Sequence, residues 1–108
     1  MTDLQAALQS IRGKATTQQV RITQHAQQQM TAEAILMDDV LRVLSNGQII
    51  ENYPDHRRGA CCLLHGVDNA NRDIHIVCTT ANPMLIIITA YLPLPPKWIT
   101  PTQRRNVP

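Results

Sequence analysis

Residues 40–53, VLRVLSNGQIIENY, contain the point at which the spacing of apolar residues changes. Up to Leu44 apolar residues recur at helical intervals, at positions 36, 37, 40, 41 and 44, and Gly47 is typical of a helix end. After Gly47 the chain becomes rich in β-branched residues between turn signals, which favours strands. The stretch therefore predicts an α+β domain in which helices come first and strands follow.

Two further helices are predicted before this point. The segment DLQAALQSI has one apolar helical face, with Asp3 as its N-cap and Gly13 as its end. Residues 20–22 form a short extended stretch, after which Thr23 can cap a helix over about 24–30. We therefore expect two or three helices in the N-terminal half of the chain.

Four strand-like segments follow Gly47, namely QIIENY, ACCLLHGV, DIHIVCTT and MLIIITAY. Their short separators, PDHRRG, DNANR and ANP, favour an antiparallel sheet of about four strands. Alternation predicts that Ile74, Ile76 and Cys78 share an apolar face that the helices cover. It also predicts a common face for Leu85, Ile87, Thr89 and Tyr91. A tight turn near Asn82 would place His75 opposite Thr89.

The length of 108 residues and an apolar content of 44% predict one globular domain. We divide it into an N-terminal helix and linker (1–19), a core (20–91) and a proline-rich basic tail (92–108). Five of the seven prolines lie in that tail, so it is expected to be extended and irregular, with Trp98 as an anchor.

The composition limits the cellular context. No apolar run is long enough to span a bilayer, and the N-terminus lacks the pattern of a signal peptide. Cys61, Cys62 and Cys78 fit neither a disulfide framework nor a zinc site, so we expect small core residues. These features predict a reduced, cytoplasmic protein. Eight of the ten basic residues are arginine, which is compatible with an anionic partner or with a solvated basic surface.

Several motifs together resemble a bacterial family known as domain of unknown function 4258. They are T-x-H-A at 23–26, D-V…V-L…G-x-I-I-E-x-Y at 39–53, H-x-V at 75–77 and I-I-T-A-Y at 87–91, and the resemblance covers about residues 20–105. It implies a RelE/ParE-like fold, in a class that includes barnase-like and colicin-type ribonucleases. In that fold, helices back one side of the sheet and the concave face binds RNA. Members are often suspected to be toxins of toxin–antitoxin pairs.

The chain departs from the family pattern on the predicted second helix. The family usually continues H-A-x-x-R-M-x-x-R-x-I, whereas Gln29 and Glu33 occupy the two arginine positions here. If those arginines hold the scissile phosphate, the chain is weakened or inactive, because neither Gln nor Glu replaces a guanidinium. If they are structural ion-pair residues, the loss is harmless.

A metal-independent ribonuclease needs a base, an acid and a group that stabilises charge on the phosphorane. On the resemblance and on the mixed sheet face, the catalytic candidates are His25, His75, Thr89 and Tyr91. For His25 the alternative is a structural role at the helix start, and for His75 it is a half-buried ring with satisfied hydrogen bonds. Thr89 and Tyr91 can donate hydrogen bonds to a phosphate or stack on a base, or the Tyr91 hydroxyl can satisfy a backbone group at a strand end.

The candidates for RNA phosphate binding are His56, Arg57 and Arg58 in the PDHRRG turn and Arg104 and Arg105 in the tail. A solvated turn and a loose basic tail are the alternatives. His65 is expected to be a surface residue. No metal site and no cofactor are predicted, since the His and Cys spacing supports none.

The leading hypothesis is a toxin-like, metal-independent endoribonuclease of a toxin–antitoxin pair, or a weakened relative. Its partners would be RNA and a cognate antitoxin. The alternative is a non-enzymatic binding module, a degenerate relative that binds RNA or a protein. A third hypothesis, a metal-dependent hydrolase, would require clustered histidines and carboxylates.

Overall fold

A computed structural model gives the fold of the chain. It describes residues 3–55, 57, 59–80, 83–95 and 98–104, apart from the side chains of Asp3, Ile99 and Arg104. The described residues form three helices, α1 (Asp3–Thr16), α2 (Gln24–Glu33) and α3 (Met37–Asn46). The strands are β1 (Val20–Ile22), β2 (Gln48–Tyr53), β3 (Cys61–Val67), β4 (Asp73–Thr79), β5 (Leu85–Tyr91), β6 (Trp98–Thr100) and β7 (Gln103–Arg104). The predicted α+β class is confirmed.

The main sheet has five strands in the order β1-β5-β4-β3-β2. Strands β2 to β5 form the predicted antiparallel meander. The prediction of about four antiparallel strands is nevertheless short by one, because β1 pairs in parallel with β5, with Val20 opposite Leu85. The sheet is therefore mixed, and its parallel edge leads directly into α2.

The helix limits differ from prediction in three places, one of which is that α2 continues past residue 30 to Glu33. Helix α1 continues past Gly13 to Thr16. A glycine inside a helix costs only about 1 kcal/mol, and Ile11 and Ala15 are buried on either side of it. Leu36 and Met37, predicted on the apolar face of α3, are exposed, since the helix begins only at Met37. No helix in the described part of the chain has the length and hydropathy needed to cross a membrane.

The core lies between the three helices and one face of the sheet. Ile74, Ile76 and Cys78 of β4 point into it, as predicted. All three cysteines are free and buried. The hydrogen-bonded neighbour Cys62 and burial raise the pKa of the Cys78 thiol, so this thiol stays protonated at neutral pH. Cys62 and Cys78 thus behave as core residues.

A bulge divides β5 into two halves. Past the bulge, each side chain points to the face opposite the one that regular alternation would give it. The pairing shifts between Val77 and Cys78, which lie opposite Thr89 and Ile87 respectively. As a result Leu85 and Ile87 point toward the helices, whereas Tyr91 packs against His75 on the other face. The prediction of one common face was wrong because an extra residue inverts the alternation. His75 lies opposite Tyr91, not Thr89.

The C-terminal segment is more regular than predicted. Strands β6 and β7 form an antiparallel hairpin in which Trp98 pairs with Arg104. The side chain of Trp98 is only 2% exposed, and its ring packs edge-on against His75 with centroids 4.3 Å apart. The hairpin therefore covers part of the sheet face that is turned away from the helices.

A polar cluster holds the turn between β3 and β4 against α2. Asp68 accepts hydrogen bonds from the backbone N–H groups of Ala70 and Arg72 and from the Arg72 Nε, at 2.6 Å. Arg72 also donates to the carbonyl oxygens of Glu33 and Ala34, at 2.8 and 2.9 Å. The backbone and side-chain hydrogen bonds from Arg72 hold the pKa of Asp68 below its ordinary value.

Asp68→Asn is expected to lower the free energy of unfolding at neutral pH, with a gap that closes in acid. A carboxylate whose folded pKa is lowered contributes stability above its unfolded pKa and loses it as the pH falls through the folded value. The gap should therefore be constant at neutral pH and shrink below about pH 4. Urea unfolding across this range measures it, with the exposed Asp55→Asn as the control. A gap that stays constant to pH 2 would contradict the assignment.

Candidate functional site

The sheet face turned away from the helices, called the outer face below, carries a row of polar rings. His65, His75 and Tyr91 lie side by side on β3, β4 and β5, as the strand register requires. The His75 ring packs edge-on against both neighbours, with centroid distances of 5.8 Å to His65 and 5.3 Å to Tyr91. Polar side chains are usual on such a face of an antiparallel sheet, and the unusual feature is that the polar ring of His75 is fully buried.

His75 is fully buried, and both of its ring nitrogens have partners. Nε2 donates to the carbonyl oxygen of Pro101, and Nδ1 lies 3.1 Å from the hydroxyl of Tyr91. Because a carbonyl oxygen can only accept, Nε2 carries the proton and Nδ1 accepts from the Tyr91 hydroxyl. In this structure His75 positions Tyr91 and contacts the hairpin, and its ring is closed to solvent.

The structure brings His75 and Tyr91 together, and it places Thr89 nearby on β5. Thr89 is half-buried and lies opposite Val77, two pairs along the ladder from His75 and Tyr91. Three of the four catalytic candidates therefore lie within two adjacent strands, although His75 is covered.

His25, the fourth candidate, is exposed as the second residue of α2. The helix cap is Thr23, whose Oγ1 accepts from the N–H of Ala26 at 3.1 Å, as predicted. Thr23 also donates to the carbonyl oxygen of Ile88, at 3.3 Å, and so fixes the start of α2 against β5. Within the described residues the His25 ring makes no hydrogen bond, so capping does not account for it.

Gln29 and Glu33, at the family's arginine positions, bond to the backbone of β5. Gln29 Oε1 accepts from the N–H of Ala90 at 3.0 Å, and Glu33 Oε2 accepts from the N–H of Leu92 at 2.8 Å. With His25 they form an i, i+4, i+8 stripe along α2. Strand β1 pairs with β5 only from Leu85 to Ile87. Further along β5, these two side chains accept the backbone hydrogen bonds that a neighbouring strand would otherwise accept. Both are acceptors, a task that arginine has no atom to perform.

Gln29→Arg is therefore expected to destabilise the fold, although it restores the family residue. The N–H of Ala90, a fully buried residue, would lose its acceptor, at a cost of about 1–3 kcal/mol. Gln29→Ala should cost a similar amount, whereas Gln28→Ala, exposed on the same helix, should lie within about 0.5 kcal/mol of wild type. Chemical denaturation of the three variants measures this. A Gln29→Arg protein as stable as wild type would show that Ala90 finds another acceptor.

Of the phosphate-binding candidates, the structure describes Arg57 and the backbone of Arg104. Arg57 is exposed in the connection between β2 and β3, and the strand order puts β4 and β5 between that connection and α2. Arg57 and His25 are thus not brought together. The backbone of Arg104 lies in β7, but its side chain is not described. His56, Arg58 and Arg105 lie outside the described residues.

A second histidine, His65, was predicted only as a surface residue and was not among the candidates for the site. His65 Nε2 lies 2.8 Å from Asp73 Oδ1, and the two side chains are 22% and 40% exposed. The length of the DNANR link could have indicated where His65 lies. Five linking residues put Val67 opposite Asp73, and therefore His65 opposite His75, on the same face as Asp73. Across the described ranges, no group of three or more His, Cys, Asp or Glu residues is placed to hold a metal ion.

Comparison with known proteins gives one match. A family model described as a domain of unknown function (DUF4258) matches residues 22–92. This range runs from the end of β1 to just beyond β5 and contains His25, His65, His75, Thr89 and Tyr91. It leaves out α1 and the C-terminal hairpin. No curated protein and no solved structure matches the chain.

Proposed function

Since the chain belongs to the DUF4258 family, we propose that it is a toxin-like, metal-independent endoribonuclease on a RelE/ParE-like plan. The supporting observation is that the exposed ring of His25 has no structural task among the described residues, since Thr23 performs the capping. Histidine is the side chain best suited to take up and return a proton near neutral pH.

In this proposal His25 exchanges a proton with the RNA, either with the attacking 2′-hydroxyl or with the leaving 5′-oxygen. Thr89 contributes a hydrogen-bond donor from β5, and Tyr91, whose hydroxyl proton is donated to His75, offers its ring for stacking on a base. His75 acts as a positioning residue, because its Nδ1 holds the Tyr91 hydroxyl. The remote basic side chains, Arg57 among them, would contact other phosphates along the strand. A cognate antitoxin would block the edge formed by α2 and β5.

RNA cleavage by the purified chain in the presence of EDTA tests the proposal. Cleavage by attack of the 2′-hydroxyl leaves a 2′,3′-cyclic phosphate and a 5′-hydroxyl, and end mapping by sequencing detects both. Expression of the chain in cells should slow growth, and co-expression of the product of an adjacent small gene should restore it. Intact RNA at every protein concentration, together with unaffected growth, would exclude the enzyme.

A second candidate, a binding module without catalysis, is favoured by one observation. Helix α2 contains no lysine or arginine, and Gln29 and Glu33 are occupied by the backbone of β5. The helix that carries His25 therefore offers no cation to stabilise a phosphorane. Salt-dependent binding of RNA that remains uncut would support this function over the enzyme.

A further inference from the structure

A groove of about 410 Å³ lies where α3 approaches the end of β3. Its walls are Arg42, Asn46, Gln48, His65, Gly66, Val67 and Asp68. Gly66 permits this approach, since a Cβ there would lie 3.1 Å from both methyl groups of Val43. The close contact brings Arg42 of α3 and His65 of β3 to the walls of one groove. Through Arg72 the turn beside the groove contacts the C-terminal end of α2, whereas His25 lies at the N-terminal end of that helix, so this site is distinct from His25.

The His65 ring is oriented by Asp73 and keeps one nitrogen for a ligand. The Asp73 carboxylate accepts from Nε2 at 2.8 Å, which places a proton on Nε2. Within the described residues Nδ1 makes no hydrogen bond. In the imidazolium form the ring donates from both nitrogens, so Nδ1 can donate to an anion while Nε2 stays bonded to Asp73.

Arg42 is the cation of the groove. It is exposed, and its guanidinium makes no hydrogen bond or ion pair within the described residues. The nearby acidic groups are largely occupied. Asp68 is held by Arg72, which also lies 3.8 Å from Asp39, and Asp73 is held by His65.

Asp38, one turn before Arg42, lines an adjoining depression and is not in ion-pair contact with Arg42. The amides of Asn46 and Gln48 add neutral donors to the groove.

We propose that this groove binds the phosphoryl group of a phosphate monoester or diester. Arg42 supplies the charge, and the carboxylate-oriented His65 supplies a charge-assisted hydrogen bond. The proposal does not depend on the ribonuclease function, since it concerns binding at a separate place on the fold. If the chain does cleave RNA, the groove would hold a phosphate of the same strand away from the cut.

NMR titration of the isotope-labelled full chain tests the site. The probes are inorganic phosphate and uridine 3′-monophosphate, used separately. We expect saturable shifts of the His65 imidazole and Gln48 amide signals with at least the nucleotide. Arg42→Gln should weaken binding by about 10- to 100-fold, the range for a hydrogen bond to a charged group. Its unchanged backbone spectrum would show that the fold is retained.

Two further variants serve as controls for the Arg42→Gln result. Asp38→Asn should leave binding unchanged or strengthen it, because it removes a nearby negative charge and no donor. His25→Gln should leave binding unchanged, whatever its effect on RNA cleavage. Absence of saturation with both probes, equal affinity of Arg42→Gln and wild type, or loss of binding in His25→Gln would each overturn the proposal. Binding that survives in a chain unable to cut RNA would uphold it and reject the enzyme.

Discussion

Trp98→Ala is expected to lower the free energy of unfolding by about 3–5 kcal/mol, the usual cost of removing a buried tryptophan. The indole is 2% exposed, and it closes the outer face over His75. Within the described residues, the hairpin also holds the sheet through the hydrogen bond from His75 to Pro101. Removing the indole therefore exposes the ring and weakens that bond, so the hairpin should detach.

Urea unfolding measures the loss, and Leu94→Ala is the control from the same segment, since Leu94 is 59% exposed. Diethylpyrocarbonate modification with peptide mapping separates local from global effects. His25 should react in every variant, whereas His75 should react only in Trp98→Ala. Unchanged stability with a protected His75 would mean that the sheet buries this histidine without help from the hairpin.

Much of the fold could be predicted from short stretches of sequence, because the residues within most strands and their turns determine where those strands begin and end. Alternation of β-branched residues between short turn signals placed β2 to β5 within about two residues of their limits. Thr23 as the cap of α2 followed from the same local chemistry. The parallel pairing of Val20–Ile22 with β5 did not, because a three-residue strand gains its stability from a partner 65 residues away.

The β5 bulge shows how a single residue limits prediction from alternation. Strict period two assigns Leu85 and Tyr91 to one face, but the extra residue sends them to opposite faces. The helix-covered face remains apolar in spite of this shift, because Ala90 replaces Thr89 in the alternation. The sequence contains both alternation patterns, so alternation alone does not place the bulge.

The candidate site was predictable in part for a related reason. His25, Gln29 and Glu33 all lie in one short segment. The sequence alone therefore identified the histidine and the departure from the family's two arginine positions. The burial of His75 depends on Trp98 and Pro101, more than twenty residues further along, in a segment that proline content alone marked as irregular. The roles of Gln29 and Glu33 were equally hidden, since their partners are backbone N–H groups that carry no sequence signal.

His25→Ala is expected to reduce RNA cleavage by about 10²–10⁴-fold, the usual contribution of one proton-transfer group. The loss should fall on kcat and leave KM nearly unchanged, because the ring would act on the transition state more than on bound RNA. One limb of the pH–rate profile should also disappear. Stability should change by no more than about 0.5 kcal/mol, since the side chain is exposed and makes no described hydrogen bond.

Gln24→Ala, one residue earlier and equally exposed, is the matched control and should cleave as wild type does. The comparison tests separately whether the chain is a ribonuclease and whether His25 carries the proton. If wild type cleaves RNA and His25→Ala cleaves it equally well, the ribonuclease stands and the proton carrier is another group. His65 is then the next variant to make, because Asp73 orients its ring and its Nδ1 faces no described partner. A loss confined to His25→Ala would instead assign the proton transfer to the edge formed by α2 and β5.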